Sequence, residues 1–292
     1  MRLGVHLIAF DFPGGAAAIG PTVAAFGAAV EEAGVDNVSV MDHYLQMEFL
    51  GSAGRQMLEG YTTLGFLAAH TSTVELQALV TGVTYRHPGL LAKIGATLDV
   101  LSGGRAVLGI GAAWYEREHR AYGVPFPTVA ERFERLEEAL QIVRQMWGPE
   151  EGPYHGRHYR LAETICSPAP LHPIPVMIGG QGERKTLRLV AKYADAWNGF
   201  ASADGGPEAV RHKLDVLRRH CEAEGTDYDR IRKTILWSGA VGRPTDSDDF
   251  LERMGGFADL GIDEVHVPYS GEDPVGFVRQ LGASFVPALG KL

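Results

Sequence analysis

"PVMIGGQGERKTLRLVAKYADAWN", Pro175 to Asn198, holds a complete strand–turn–helix–strand unit. The apolar run Pro175–Ile178 stops at Gly179-Gly180. A third glycine, Gly182, precedes Glu183, Arg184, Lys185 and Thr186. Leu187, Val190, Ala191 and Ala194 then recur at spacings of three and four, the mark of a helix with one buried face. Ala196–Asn198 is apolar again. A continuous apolar strand feeding a helix and then another such strand argues for parallel strands buried on both faces.

The same unit repeats along the chain. The expected pairs are Leu3–Ile8 with Thr22–Ala33, Asn37–Met41 with Tyr61–His70, Val74–Val80 with Leu90–Leu101, and Arg105–Ile110 with Val129–Trp147. After Pro175–Ile178 with Arg184–Tyr193 come Ala196–Asn198 with Glu208–Glu224, Thr234–Ala240 with Ser247–Leu260, and Glu264–Val267 with Val275–Ala283. Eight strand–helix pairs in 292 residues predict one α/β domain over residues 1–292, a (β/α)8 barrel. Two connections exceed what a barrel needs: Leu45–Gly60 after strand two, and Gly148–Pro173 after helix four, with a hairpin-like start at Tyr154–Tyr159. Long connections in compact domains are commonly functional, and both are expected to cover a substrate.

Composition excludes several classes. The net charge is −9, and no Lys/Arg cluster interleaved with aromatics occurs, which argues against nucleic acid and anionic membranes as partners. No signal peptide or membrane-spanning apolar run is read. Two scattered cysteines, Cys166 and Cys221, suit a reducing cytoplasm and offer no zinc spacing. No histidine spacing suggests a metal.

Barrel enzymes build their sites at the C-terminal ends of the strands. Gly179, Gly180, Gln181 and Gly182 end strand five. Their backbone N–H groups and the following helix N-terminus suit an oxyanion, with Arg184, Lys185 and Thr186 close by. The competing reading is a plain tight turn beside a solvated basic face. The stretch is not a Walker A loop, because Arg184 precedes Lys185-Thr186. Asp42-His43 ends strand two. It is the one neighbouring acid–histidine pair at a strand end, and histidine suits proton transfer near neutral pH. Consecutive strand residues point to opposite sides, so the two need not touch. Gly109-Ile110-Gly111, followed by Trp114, ends strand four, where close packing or a flat ligand both explain the glycines. No lysine stands at these strand ends, which disfavours Schiff-base aldolase chemistry.

Read in order, Asp42-His43, "TGVTYRHPGLLAKIGATLDVLSGGRAVLGIGAAWYEREHRAYG" (Thr81–Gly123), "ERFERLEEALQIVRQMW" and "IGGQGERKTLRLVAKYADAWN" resemble the bacterial luciferase-like superfamily. Within it they resemble the coenzyme F420-dependent oxidoreductases. The resemblance implies a barrel whose mouth holds the deazaflavin ring, with a small-molecule substrate and a homodimer as the expected assembly. It implies Asp42 and His43 near the ring as catalytic residues. Thr81, Gly82 and Val83 would form a bulge behind the ring, with a non-prolyl cis peptide at Gly82–Val83. Gly111 and Trp114 would belong to the strand-four motif. Gly179, Gly180, Gln181 and Gly182 would hold the cofactor's phosphate. Ala113 stands where the family often has a second glycine. The alternatives are an FMN-dependent monooxygenase of the same superfamily and a non-catalytic flavin-binding barrel.

Overall fold

The computed structural model describes residues 1–202, 206–239 and 247–292. Its strands are β1 (Arg2–Leu7), β2 (Asn37–Val40), β3 (Glu75–Ala78), β4 (Thr81–Gly82), β5 (Ala106–Gly111), β6 (Tyr154–His155), β7 (Arg160–Leu161), β8 (Val176–Gly179), β9 (Ala196–Ala201), β10 (Arg232–Trp237) and β11 (Glu264–Tyr269). Eight of them, β1, β2, β3, β5, β8, β9, β10 and β11, pair in parallel around a closed ring. Leu76 opposite Ala106 and Gln77 opposite Val107 complete the closure between β3 and β5. The expected (β/α)8 barrel is what forms.

The helices are α1 (Ala16–Ala33), α2 (Gly60–Ala68), α3 (Pro88–Ser102), α4 (Glu116–Tyr122), α5 (Val129–Trp147), α6 (Thr186–Tyr193), α7 (Gly206–Glu224), α8 (Ser247–Ala258), α9 (Pro274–Ser284) and α10 (Val286–Leu289). Helix α5 begins where the sequence predicts, because Thr128 accepts from Glu131 N and starts the turn. Its apolar face, Leu136, Leu140 and Val143, is buried. Helix α4 was not expected. It is one short stretch, closed by Gly123 in the left-handed region at φ 69° and followed by Pro125 and Pro127. The predicted end of strand seven, Ala240, lies outside the described residues. Among the described residues no helix is long and apolar enough to cross a membrane.

Strand three departs from its predicted span of Val74–Val80. Pairing stops after Ala78, and the chain rejoins β5 only as β4. The non-prolyl cis peptide lies at Leu79–Val80, not at Gly82–Val83 as the resemblance implied. The correction has a steric counterpart in the glycines around Val80. A Cβ on Gly179 would lie 2.9 Å from Val80 Cγ1, and one on Gly111 would lie 3.0 Å from Val80 Cγ2. A Cβ on Gly109 would lie 2.1 Å from the Ala78 carbonyl oxygen. The glycines of β5 and β8 therefore make room for the bulge.

The two insertions behave differently. The chain between β2 and α2 folds back over the strand ends. Met47 and Tyr115 pack there with Ile8 and Met41, and Gln46 Nε2 donates to the Ile8 carbonyl at 2.9 Å. The β6–β7 hairpin forms at the expected place, but it sits on the outer helices. Glu138 of α5 accepts from the backbone N–H groups of Arg157, His158 and Tyr159, and Tyr159 meets the His87 ring at the start of α3. Its described bonds run to α5 and the start of α3, and none reaches His43 or the glycine loop directly.

Candidate active site

Asp42 and His43 follow β2 and diverge, as alternation requires. Asp42 is buried, and both its oxygens are occupied. Arg86 donates from Nη1 to Oδ2 at 2.6 Å and from Nη2 to Oδ1 at 2.9 Å. Thr81 Oγ1 donates to Oδ2 at 2.7 Å, and Tyr61 Oη lies 2.9 Å from that hydroxyl. Arg86 also bonds Glu59. Burial opposes the guanidinium charge, but Asp42's hydrogen bonds and charge outweigh it and raise the Arg86 pKa. Burial, aided by the charge of Asp42, raises Tyr61 well above its usual range.

His43 turns the other way, to Glu118. Its Nδ1 lies 2.7 Å from Glu118 Oε1. The same carboxylate accepts from Tyr44 N at 2.7 Å and from the Tyr85 hydroxyl. Burial alone would raise the Glu118 pKa, yet hydrogen bonds from His43, Tyr85 and Tyr44 N bring it below the ordinary value. Tyr85 is pushed far up by burial and by its bond to the Glu118 charge, so it remains a donor. An ionised carboxylate can only accept, so the Nδ1 of His43 carries the proton. In the neutral imidazole Nε2 is then the lone pair, and it has no partner among the described residues. The His43 side chain retains 14% exposure, and Trp114 and Tyr115 stand edge-on to its ring at 5.6 and 5.7 Å.

The glycine loop lies across the mouth, with β3 and β5 between β2 and β8. Gly180 has φ +118°, a conformation side chains rarely adopt, and its carbonyl accepts from Trp197 Nε1 at 2.8 Å. Gln181 is tied to the Phe200 carbonyl at 2.8 Å. The backbone N–H groups of Gln181 through Thr186 have no acceptor among the described residues, and Lys185 provides no side-chain cap for α6. Arg184 is exposed and has no carboxylate partner among the described residues. Lys185 extends over the Phe133 ring. A row of open amides at a helix N-terminus beside a free guanidinium is a site for an anion.

The other predicted residues fall into place around these two corners. Thr81 is in the Asp42 cluster. Gly82 admits the Tyr85 ring, since a Cβ there would lie 2.8 Å from Tyr85 Cε2. Val83 is buried in the main core and donates its N–H to the Gly111 carbonyl at 2.9 Å. Trp114 is 58% exposed at the rim. Sequence reasoning missed Glu118, Tyr85 and Arg86. Glu118 and His119 are the buried pair on α4, between exposed Arg117 and Arg120. A short helix with charges on every side gives no period that picks out its inward residue.

The family profile described as luciferase-like monooxygenase matches residues 1–264. The chain belongs to the luciferase-like monooxygenase family. Among curated relatives in this family, an F420-dependent glucose-6-phosphate dehydrogenase of Microbacterium testaceum is 28% identical, over 91% of this chain and 92% of that protein. Two solved structures of similar fold are an F420-dependent secondary alcohol dehydrogenase with an F420–acetone adduct (TM-score 0.81, 16% identity, 99% of this chain and 98% of that one) and a long-chain alkane monooxygenase (TM-score 0.81, 13% identity, 100% and 91%). At these identities the solved structures speak for the fold, and that fold serves both deazaflavin dehydrogenases and monooxygenases.

Proposed function

We propose that the protein is a coenzyme F420-dependent oxidoreductase that moves a hydride between the deazaflavin and a small organic substrate. The observation that carries this reading is the likeness, over nine-tenths of both chains, to a curated F420-dependent dehydrogenase. The mouth fits such a cofactor. The open amides after Gly180 and the free Arg184 suit its phosphate. Val80, seated among Gly109, Gly111 and Gly179, offers an apolar shelf beside them. Bound there, F420 supplies a two-electron hydride donor or acceptor.

The remaining work falls to side chains. Gly180, Gln181 and Gly182 present the loop, and Thr81, Gly82 and Val83 build the wall behind it. Gly111 and Gly179 act by leaving space for Val80. His43 takes or returns the substrate's proton at Nε2, and Glu118 fixes the tautomer that leaves Nε2 free. Asp42 does not orient His43. It locks Arg86 and Thr81, and so holds the wall. Cys166 and Cys221 are free thiols, which suits a cytoplasmic protein.

The test is anaerobic turnover of F420-loaded protein with a panel of alcohols and ketones, followed by F420 absorbance, alongside oxygen-uptake assays with FMN. Cofactor reduction or reoxidation without oxygen consumption is the expected result. Oxygen consumption supported by FMN, with no F420 turnover, would overturn the reading in favour of a monooxygenase.

A further inference from the structure

We infer that the substrate is an uncharged molecule with an apolar body beside its alcohol or carbonyl group, and that Trp114 selects it. The inference rests on the proposed oxidoreductase reading and departs from the sugar phosphate in the name of the curated relative.

The cations around His43 are already paired. On the β2–α2 insertion, Arg55 donates from Nε to Asp11 Oδ2 at 2.9 Å and from Nη1 to the Leu50 carbonyl at 2.8 Å. Arg117 is paired with Glu48, which also accepts from the Tyr115 hydroxyl at 2.9 Å. Arg86 is held by Asp42 and Glu59. Each of these three guanidiniums is thus already neutralised. Arg184 and Lys185 lie at the glycine loop, where the cofactor's own phosphate belongs. Five carboxylates in this group (Asp11, Asp42, Glu48, Glu59 and Glu118) face only three guanidiniums. Glu118 is fully buried and sits directly behind His43. A phosphate or carboxylate brought to His43 would meet that negative charge and find no open cation among the described residues.

The contacts on offer are apolar instead. Trp114 stands edge-on to His43 and tilts against Tyr115 at 5.2 Å, with 58% of its surface exposed. Below it the insertion packs Ile8, Met41, Met47 and Tyr115 into a small apolar cluster. An exposed indole beside the open Nε2 of His43 is a platform for a neutral ring or short chain. In the oxidative direction the substrate's C–H bond breaks and its hydride pair leaves to oxidised F420. The O–H proton leaves to His43 Nε2, and a C=O bond forms; reduction reverses each transfer.

The test uses two redox-inert probes of one shape, cyclohexanecarboxamide and cyclohexanecarboxylate, titrated calorimetrically into both apo-protein and F420-loaded protein. The inference expects the amide to bind at least ten times more tightly than the carboxylate. It expects Trp114→Ala to weaken the amide about tenfold while F420 affinity stays within threefold. In turnover, that variant should raise KM for cyclohexanol with kcat little changed. Equal affinities, tighter binding of the carboxylate, undetectable binding of the amide, or F420 reduction by glucose 6-phosphate at a higher kcat/KM than by cyclohexanol would each overturn it. F420 affinity is measured separately, so loss of cofactor binding would count against the oxidoreductase reading, while the probe pair still decides the substrate's charge.

Discussion

The two ends of the barrel both bury acids against bases, yet only one leaves unspent bonds within a ligand's reach. At the floor, Glu75 and Glu264 share Arg2 and Arg232. Arg232 lies 2.9 Å from Glu75 and 3.3 Å from Glu264, and Arg2 lies 3.1 and 3.6 Å from the same two acids. His266 is fully buried against Glu264 at 3.3 Å and against the flat face of Gly4, where a Cβ would lie 2.5 Å from Nδ1. The atoms left without a hydrogen-bond partner there, Gln77 Oε1, Glu264 Oε1 and His266 Nδ1, are sealed from solvent. At the mouth, Glu118 and Arg86 are gripped just as firmly, but other groups there stay unspent: His43 Nε2 and the amides after Gly180. Perturbed titration occurs at both ends. Burial pushes Glu264 up to about 7, and burial, with the charges of His6 and the two arginines, drives His266 well below its usual range. A perturbed pKa therefore does not mark the site here, and neither does an unspent hydrogen-bond valence by itself; an unspent valence open to solvent does.

That contrast can be broken at either end. The largest effect belongs to His43→Ala, which removes the open nitrogen. Turnover of F420-loaded enzyme should fall at least ~100-fold, the usual worth of a positioned acid–base group, with F420 affinity within threefold. Steady-state kinetics beside a fluorescence titration checks both. Glu118→Gln comes next. The amide can still accept from one partner but no longer fixes the tautomer, so kcat should drop on the order of tenfold. Imidazole 15N NMR should then show the Nδ1 proton of His43 redistributed, a change that mere loosening of the loop would not produce. Gly180→Ala forces a side chain into φ +118°. It should cost about 1–2 kcal/mol in the loop's conformation and weaken F420 about tenfold, leaving the rate at saturating cofactor nearly intact.

The floor should answer in stability and not in rate. Glu264 holds its proton in the folded state up to about pH 7, against an ordinary value of 4.5. Between those values the folded protein binds the extra proton, so this group's contribution is present at the acidic end and is lost as pH rises to 7. His6, next to last on β1 and so above the floor, works in the opposite sense. Burial lowers it from 6.5 to about 3, so its share of stability is lost as pH falls through that window. Glu264→Gln should therefore make stability rise more steeply between pH 5 and 7 than in the parent, by up to about 3 kcal/mol over the window. Urea unfolding at several pH values measures this, with turnover at saturating substrate unchanged.

The barrel was legible because its signal is local. Each strand and helix carries its own apolar period, and each glycine stop lies beside the strand it ends. The glycine loop and Asp42-His43 were legible for the same reason, since position at a strand end needs no partner. What could not be read is pairing across the fold. Glu118 lies 75 residues from His43, and Arg86 lies 44 from Asp42. Adjacency in sequence does not pair Asp42 with His43: strand alternation sends the two apart, and α4 supplies the acid instead. The bulge was misplaced for a similar reason. Val80 looks like one more apolar strand residue, and its fit depends on Gly109, Gly111 and Gly179, contributed by two other strands.

The central claim is that the open mouth binds F420 by the glycine loop. The most direct measurement is an equilibrium titration of the purified protein with F420 and, in parallel, with FMN, followed by cofactor fluorescence, with Gly180→Ala alongside. The account predicts micromolar or tighter binding of F420, much weaker FMN, and a tenfold loss for the variant. Preference for FMN, binding of neither, or F420 affinity untouched by the change at Gly180 would contradict it.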